Sequence, residues 1–213
     1  MKGIIMEFVS RATPLYEFLR YCNNTSMERK ILDCGAGGQQ PPLYLFHQYG
    51  YKTFGIDISE YAIKNAADFC KKHQLDIDLN IQLGDMRKIE FEDERFPFIY
   101  SYNTIMHMSK KDISKAMKEM ERVLTINGLL YVNFGSEDSE IGDRGEKIGE
   151  GEYALPIGDN ETALHSFHTD NEADVYFKNF MLLHKDKSML YRYEKGKLEF
   201  ILGEINYIGK KVR

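Results

Sequence analysis

The feature that most constrains the fold is an alternation of short apolar runs with amphipathic stretches. Five runs have the length and composition of strands: Ile31–Cys34, Thr53–Asp57, Leu79–Leu83, Phe98–Tyr102 and Leu129–Phe134. Between several of them, apolar residues recur at helical spacing, as in Ala62, Ala66, Phe69 and Cys70. Strand–helix–strand alternation of this kind predicts βαβ units around a parallel sheet.

Capping signals predict where three helices begin. Ser59 precedes the first periodic stretch, and the Ser109-Lys-Lys-Asp sequence is a capping box before the second. The Thr169-Asp-Asn-Glu sequence is another, and it predicts a last helix that continues to Met181. Together with the strands, these helices predict layers on both faces of the sheet.

The two ends and one internal segment differ from this pattern. Residues 1–28 form a predicted N-terminal helical segment, since the proline of Thr13-Pro suits the first turn of a helix. Ser188–Arg213 reads as an antiparallel hairpin. Residues 137–152 hold seven acids and four glycines, and we interpret 137–168 as a lid-like loop, with a surface excursion of no functional role as the alternative.

The predicted fold is therefore α/β, with a single domain over residues 1–213. Its core is a Rossmann-like seven-stranded mixed sheet, parallel with a C-terminal antiparallel hairpin, and helices cover both faces. A length of 213 residues suffices for a full hydrophobic core without metal or disulfide staples.

Composition excludes several classes of protein. The 28 basic and 33 acidic residues give a net charge of −5, which argues against a protein that works by neutralising nucleic-acid phosphates. No apolar run reaches the roughly 18 residues of a membrane span. The N-terminal sequence lacks the features of a signal peptide, and the three scattered cysteines suit a reducing compartment. We therefore expect a cytoplasmic protein that binds neither nucleic acid nor membrane.

Glycines and acids follow the first three predicted strands. The first strand runs into Asp33-Cys-Gly35-Ala-Gly37-Gly, and Asp57 ends the second strand 22 residues beyond Gly35. Gly84-Asp follows the third strand. Because parallel strands place their carboxyl ends on one edge of a sheet, these groups should meet there, where such folds bind nucleosides. Glycine allows close approach of a ligand, and an acid at this spacing suits ribose hydroxyls.

The glycine pattern does not favour a dinucleotide. G-x-G-x-x-G counted from Gly35 requires glycine at position 40, which is Gln40. The carboxyl group of Asp33 also fits a cationic amino group better than a pyrophosphate. The sequence therefore predicts a nucleoside ligand without phosphates.

These residues resemble the class I S-adenosylmethionine-dependent methyltransferases of the small-molecule type. The resemblance extends from about Ile31 to the C-terminus. It rests on DCGAGG (Asp33–Gly38), GIDIS (Gly55–Ser59), GDM (Gly84–Met86), FPFIYSYNTIMHM (Phe96–Met108) and RVLTINGLLYVNF (Arg122–Phe134).

The family pattern implies where S-adenosylmethionine binds. Asp33, Gly35 and Gly37 would border its methionyl part. Asp57 would hold the ribose hydroxyls, with Ile58 beside the adenine.

Three further positions complete the implied cofactor site. Asp85 would accept a hydrogen bond from the adenine amino group, and Met86 would pack on the ring. The backbone around Ser101 would contact the methionyl end. Gln39 replaces the usual third glycine of the first motif.

His107, just past the fourth predicted strand, is the best-placed candidate for a catalytic base, with packing or helix capping as the alternative. The H-x-x-H spacing of His165 and His168 is compatible with a metal, but no Cys or carboxylate set completes a site, and we predict none.

The acceptor pocket is predicted from position. Tyr102 and Asn103 lie next to His107 in the chain, and His165, Phe167 and Tyr16 are further candidates, with core packing as the alternative. The expected acceptor is a small molecule methylated at O, N, S or C, and a monomer or a homodimer remains open. Two other functions remain: a non-catalytic S-adenosylmethionine-binding protein and an NAD(P)-dependent oxidoreductase.

Overall fold

A computed structural model of the chain describes residues 13–75, 77–140, 145–158 and 161–213. The helices are α1 (Thr13–Asn23), α2 (Leu43–Gln48), α3 (Glu60–Lys72) and α4 (Lys110–Val123), with 3₁₀ turns at Ile105–His107 and Glu172–Phe177. The first strands are β1 (Lys30–Cys34), β2 (Lys52–Asp57), β3 (Ile81–Leu83), β4 (Phe96–Ser101) and β5 (Leu124–Ser136). The later strands are β6 (Glu146–Gly149), β7 (Glu152–Gly158), β8 (Glu161–His168), β9 (Phe180–Glu194) and β10 (Lys197–Lys211).

The sheet confirms the predicted fold class. Strands β3, β2, β1, β4 and β5 lie side by side and parallel, and β10 pairs antiparallel with both β5 and β9. The described residues form ten strands rather than the predicted seven. The three additional strands are β6, β7 and β8, which are inserted between β5 and the terminal hairpin.

Strand β5 connects the parallel sheet to the inserted strands. Its middle residues pair with β4, and its last two, Gly135 and Ser136, pair with Phe167 and His168 of β8. Because β10 occupies the opposite edge of β5 at Gly135, β8 lies on the same side as β4 and continues beyond the carboxyl end of that strand. The insertion therefore lies at the edge of the sheet where ligands bind in such folds.

The hydrophobic core has two layers, one on each face of the sheet. Successive residues of a strand point to opposite faces, so Ile31 and Leu32 of β1 enter different clusters. The α4 stripe, which includes Ile113 and Met117, packs in one cluster. Phe18 of α1 packs in the other. The predicted cover on both faces is therefore confirmed.

The predicted helix starts at Ser59 and Ser109 are confirmed. The Ser59 hydroxyl accepts a hydrogen bond from the Ala62 amide at 3.2 Å, and the Ser109 hydroxyl accepts one from the Asp112 amide at 3.1 Å. Side-chain oxygens at these positions satisfy amides that the helix itself leaves free.

The prediction of a last helix continuing to Met181 is wrong. The chain forms a 3₁₀ turn over Glu172–Phe177 and then enters β9 at Phe180. Phe180 and Met181 pair with Lys211 and Lys210 of β10, and this ladder replaces the helical hydrogen bonds. The spacing of the aromatic residues in this segment, with no glycine among them, fits a continued helix as well as a 3₁₀ turn followed by a strand. The sequence pattern therefore did not distinguish the two structures.

The interpretation of 137–168 as a loop also needs correction. Residues 141–144 lie outside the described residues, but most of the segment after them forms β6, β7 and β8. Gly151, at φ +66°, lies in the short turn between β6 and β7, and Leu155 and Phe167 provide buried apolar positions. Two of the glycines that suggested a loop, Gly149 and Gly151, thus lie at the turn of a hairpin.

The ends of the chain agree with the prediction where they are described. Helix α1 lies within the predicted segment 1–28, whose residues 1–12 are outside the described part. The terminal hairpin turns at Lys195 and Gly196, and its strands are longer than predicted because β9 begins at Phe180. Within the described ranges, no helix combines the length and apolar character needed to cross a bilayer.

Candidate active site

A cavity of about 240 Å³ lies at the carboxyl ends of the parallel strands. It brings together six of the predicted site residues: Gly35, Asp57, Ile58, Asp85, Met86 and His107. Gly84, which the sequence also placed at this edge, lines it too, together with four residues that were given no role: Ile56, Arg87, Thr104 and Met108. The strand ends therefore meet as predicted.

The glycine turn after β1 is packed so tightly that side chains are excluded. Gly35 has φ +103°, and a Cβ there would lie 2.3 Å from Cγ2 of Thr104. A Cβ on Gly37 would lie 2.5 Å from the Ala62 Cβ and 2.7 Å from Oδ2 of Asp57. Glycine at both positions therefore lets the turn approach the start of α3 and the end of β4.

Asp57 is held in place by backbone amides. Its Oδ2 accepts a hydrogen bond from the Gly37 amide at 2.8 Å, and its Oδ1 accepts one from the Ser59 amide at 2.9 Å. A carboxylate oxygen can accept more than one hydrogen bond, so this carboxylate can also receive hydroxyl donors from the cavity.

Asp33 is buried and only partly satisfied. Its side chain is 1% exposed, and Oδ2 has no hydrogen-bond partner among the described residues. Burial, with a smaller contribution from the charge of Asp57, raises the pKa of Asp33 to about 8. A buried carboxyl group with a free oxygen is complementary to a cationic group, which would compensate its charge.

The remaining predicted cofactor residues differ in how they are placed to contact a ligand. The carboxylate of Asp85 accepts hydrogen bonds from Arg87, at 2.9 Å from Nε and 2.7 Å from Nη2, and this contact lowers its pKa. Met86 is buried at the cavity. The Ser101 hydroxyl is buried at the end of β4 and has no partner in the described part of the chain.

Two histidines meet beside this cavity. The rings of His107 and His165 have centroids 4.3 Å apart and are nearly perpendicular. Burial, followed by the neighbouring His165, lowers the pKa of His107 to about 4, so the ring is neutral at pH 7. Strand β8 is fixed here by Ser166, whose hydroxyl donates to the Met108 carbonyl at 2.5 Å.

A larger cavity, of about 630 Å³, lies between α1 and the β9–β10 hairpin. Tyr102 and Asn103, both predicted pocket residues, line it. Asn103 has φ +54° and is held by Asn133: its amide donates to Oδ1 of Asn133 at 2.8 Å, and Nδ2 of Asn133 donates to its Oδ1 at 2.6 Å. The segment after β4 therefore borders both cavities, since Thr104 lines the smaller one.

The other predicted pocket residues lie elsewhere. Tyr16 is 44% exposed on α1 and is absent from the residues that line either cavity. Phe167 is buried and packs against Tyr153, with ring centroids 5.8 Å apart. His165 contacts His107 at the smaller cavity rather than the larger one.

Sequence reasoning missed several polar residues in and beside the larger cavity, among them Glu204 in its lining and Asn133, which holds Asn103. Asn133 stands in the apolar run of β5, and Glu204 stands in the apolar run of β10. A polar residue flanked by buried apolar ones was the available signal. It was not decisive because the pairing of β5 with β10, which brings them together, is not visible in the local sequence.

A known protein family matches the middle of the chain. Residues 32–132 match a family described as methyltransferase domain. Sterol 24-C-methyltransferase of Candida albicans is 25% identical over 161 residues, which are 75% of this chain and 42% of that protein. The chain spans less than half the length of the curated relatives it matches first.

Solved structures share the fold. A SAM-dependent methyltransferase from Methanosarcina mazei has a TM-score of 0.70 at 23% identity and covers 91% of this chain and 97% of its own. The 1,6-didemethyltoxoflavin-N1-methyltransferase of Burkholderia thailandensis, solved with 1,6-didemethyltoxoflavin and S-adenosylhomocysteine, has a TM-score of 0.65 at 15% identity. It covers 94% of this chain and 78% of its own.

The sheet order, the glycine turn and the acids at the strand ends define a Rossmann-like, nucleoside-binding class of protein. Residues 32–132, just under half of the chain, match the methyltransferase-domain family. The predicted resemblance and its cofactor, S-adenosylmethionine, are thereby confirmed. The free oxygen of Asp33 and the side-chain-free cradle at Gly35 fit this cofactor, since it carries an ammonium group and no phosphates.

Proposed function

We propose that the chain transfers a methyl group from S-adenosylmethionine to a small molecule that binds in the larger cavity. The observation that carries this proposal is the position of residues 102–104: Tyr102 and Asn103 line the larger cavity, and Thr104 lines the smaller. A donor in one cavity and an acceptor in the other would meet at this segment.

The bound cofactor supplies an electrophilic methyl group on a sulfonium sulfur. The chain's own residues bind and orient the two molecules: Asp33 for the ammonium group, Asp57 for the ribose hydroxyls and Asn103 at the acceptor side. With S-adenosylmethionine bound, the acceptor would take the methyl group by direct displacement, S-adenosylhomocysteine would leave, and any proton lost by the acceptor would pass to solvent, while these residues would hold the two molecules in line. Most of the acceleration then comes from alignment and exclusion of water.

The inserted strands support exclusion of water. β8 continues past the carboxyl end of β4, and it contacts the site through the His165–His107 ring pair and the Ser166–Met108 hydrogen bond. We propose that β6, β7 and β8 act as the cover over the donor cavity that the sequence suggested for residues 137–168.

Three observations support a small acceptor. A volume of about 630 Å³ lies within the usual range for ligand pockets, roughly 300–1,000 Å³. The net charge of −5 is unfavourable for nucleic acid. One relative is a sterol methyltransferase, and one solved neighbour holds 1,6-didemethyltoxoflavin. Sterols and didemethyltoxoflavin are both small molecules.

The role of His107 as a catalytic base stays a proposal that the geometry does not favour. The residue lines the donor cavity, and a base with a pKa of about 4 has little affinity for a proton at pH 7. We expect His107→Gln to change kcat by less than about threefold, measured with saturating S-adenosylmethionine. A general base contributes roughly 10²–10⁴-fold, so a loss of that size would restore the role.

Cofactor binding is tested first. A thermal-shift titration with S-adenosylmethionine, S-adenosylhomocysteine, NAD and NADP should give a shift with the two adenosyl sulfur compounds alone. A ligand at about 100 times its Kd adds roughly 2.7 kcal/mol to the free energy of unfolding, which is readily seen. A shift with a nicotinamide compound alone would contradict the proposal.

Replacing Asp57 tests the placement of the ribose. We expect Asp57→Ala to weaken S-adenosylmethionine binding by at least about tenfold, because hydrogen bonds to a charged group contribute roughly 1.5–3 kcal/mol. Asp68→Ala on the exposed face of α3 is the matched control and should bind normally. Unchanged affinity of Asp57→Ala in isothermal titration calorimetry would contradict the assignment.

A further inference from the structure

We infer that the larger cavity selects acceptors that carry a protonated amine on an apolar body, and that Glu204 binds the ammonium group. This inference rests on the proposed function in taking the cavity as the acceptor site. It goes beyond that function because it assigns a chemical class to the acceptor and a residue to its recognition.

The lining of the larger cavity is acidic. Three carboxylates line it, those of Glu17, Asp186 and Glu204, whereas no lysine or arginine does so among the described residues. A cavity with this lining attracts cations and repels anions.

Within the described part of the chain, Glu204 differs from the other two acids because it has no cationic partner. Glu17 pairs with Arg20 at 2.5 Å, and Asp186 accepts a hydrogen bond from Asn206 at 2.7 Å with the His184 ring at 3.3 Å. Among the described residues Glu204 forms no ion pair, and only the Asn133 side chain offsets the effect of burial on its pKa. Burial raises the pKa of Glu204, as expected for a carboxyl group whose charge is not compensated.

Strand alternation explains why Lys185 and Lys187 of β9 do not reach the cavity. Residues 184, 186 and 188 of β9 face the cavity, and the intervening Lys185 and Lys187 point to the opposite face. Lys185 pairs there with Asp174 at 2.7 Å, and Lys187 pairs with Asp138 and Asp170. The cations of this strand are therefore already bound by other acids.

Two aromatic side chains also line the larger cavity. The rings of Tyr102 and Tyr131 line the cavity with centroids 6.3 Å apart, tilted by 43°. Glu204 lines the same cavity, and its charge contributes, after burial, to the raised pKa of both phenols. Aromatic faces beside a carboxylate are the usual environment of a bound organic ammonium.

The rest of the lining suits an apolar body. Met189, Leu190, Leu202 and Ile208 contribute side chains from the two strands of the hairpin. Apolar walls with a few convergent polar groups are typical of small-molecule sites. An amine on a hydrocarbon or aromatic body meets both requirements.

The test uses three indoles of nearly equal size: tryptamine, tryptophol and indole-3-acetate, which are cationic, neutral and anionic at pH 7.5. Binding to the whole chain is measured by isothermal titration calorimetry in the presence of S-adenosylhomocysteine. Tryptamine is expected to bind at least tenfold more tightly than tryptophol, and indole-3-acetate more weakly than both.

The variant Glu204→Gln keeps the shape of the side chain and should reduce the preference for tryptamine over tryptophol to less than threefold. Glu17→Gln is the matched control, because that acid lines the same cavity but already pairs with Arg20, and its preference should stay as in the unmodified chain. Circular dichroism is used to check that both variants are folded.

The inference is overturned if indole-3-acetate binds as tightly as tryptamine, if Glu204→Gln keeps the full preference, or if none of the three compounds binds. Failure of the proposed function is distinguished by S-adenosylhomocysteine itself. If that compound does not bind, the methyltransferase proposal fails, and the three indoles titrated against the chain alone still decide the charge preference of the cavity.

Discussion

Replacing Gly35 with alanine is expected to abolish measurable binding of S-adenosylmethionine. The added Cβ would lie 2.3 Å from Cγ2 and 2.4 Å from Oγ1 of Thr104, and φ at this position is +103°. A residue with a side chain costs roughly 1–3 kcal/mol in such a backbone conformation, and overpacking costs a similar amount. The turn must therefore move, and it carries Gly37, whose amide holds Asp57. Calorimetry with S-adenosylmethionine and urea unfolding of the free chain measure the two effects.

Gly38→Ala is a matched control for the strain alone. Gly38 has a similar φ of +112°, but a Cβ there would have no atom within 4 Å. We expect this variant to lose stability by a smaller amount and to keep its affinity within about threefold. The double variant Gly35→Ala with Thr104→Gly should regain part of the lost stability, since every close contact of the new Cβ is with Thr104. Equal losses in Gly35→Ala and Gly38→Ala would show that contact with Thr104 is irrelevant.

The donor cavity could be predicted from the sequence because its residues follow strand ends in order. Gly35, Asp57 and Met86 each come directly after a strand or at its end, and the parallel arrangement of β1, β2 and β3 brings them together without further information. The prediction required only local patterns and the rule that parallel strands share an edge.

The acceptor cavity was harder to predict, because it depends on pairing between distant segments. Asn133 meets Asn103 from a neighbouring strand, and Glu204 reaches the same cavity from β10, about 70 residues later in the chain. Tyr16 illustrates the limit, since its position on α1 suggested the pocket but its side chain is turned to solvent. Local periodicity does not determine which face of α1 meets the hairpin.

The inserted strands and the last helix were misinterpreted for a related reason. Acids and glycines around Gly151 resemble a loop, but a glycine at φ +66° is also what a tight hairpin turn requires. The aromatic stripe around Phe177 fits a helix, but pairing with β10 from Phe180 onward provides more hydrogen bonds. Both decisions depend on strands elsewhere in the chain.

The variant Asp33→Asn is expected to affect stability and cofactor binding in opposite directions. The pKa of Asp33 is about 8 in the folded chain and near 3.8 for an ordinary aspartate. Between these values the folded state holds a proton that the unfolded state has lost, so the free energy of unfolding falls as pH rises from about 4 to 8. At about 1.4 kcal/mol per pKa unit, the full penalty at pH 8 and above is on the order of 5 kcal/mol.

Asparagine has no such penalty, so the ligand-free Asp33→Asn variant should be more stable than the unmodified chain by a few kcal/mol at pH 8. The difference should shrink toward pH 5, and urea unfolding at several pH values measures it directly, because all other titrating groups are common to both chains. An unsatisfied amide would reduce the gain by about 1–3 kcal/mol without changing the slope with pH.

The same substitution removes the negative charge that would face the cofactor's ammonium group. We expect S-adenosylmethionine affinity to fall by at least about thirtyfold at pH 8, since truncating one partner of a buried charge pair costs roughly 2–5 kcal/mol. Asp68→Ala again serves as the control for a change of charge at the surface. A variant that is stabilised but still binds normally would mean that Asp33 does not contact the ammonium group. A variant whose stability has the same pH dependence as the unmodified chain would mean that Asp33 is ionised in the folded state. The expected combination, greater stability with lost binding, is the signature of a carboxyl group kept buried for its ligand.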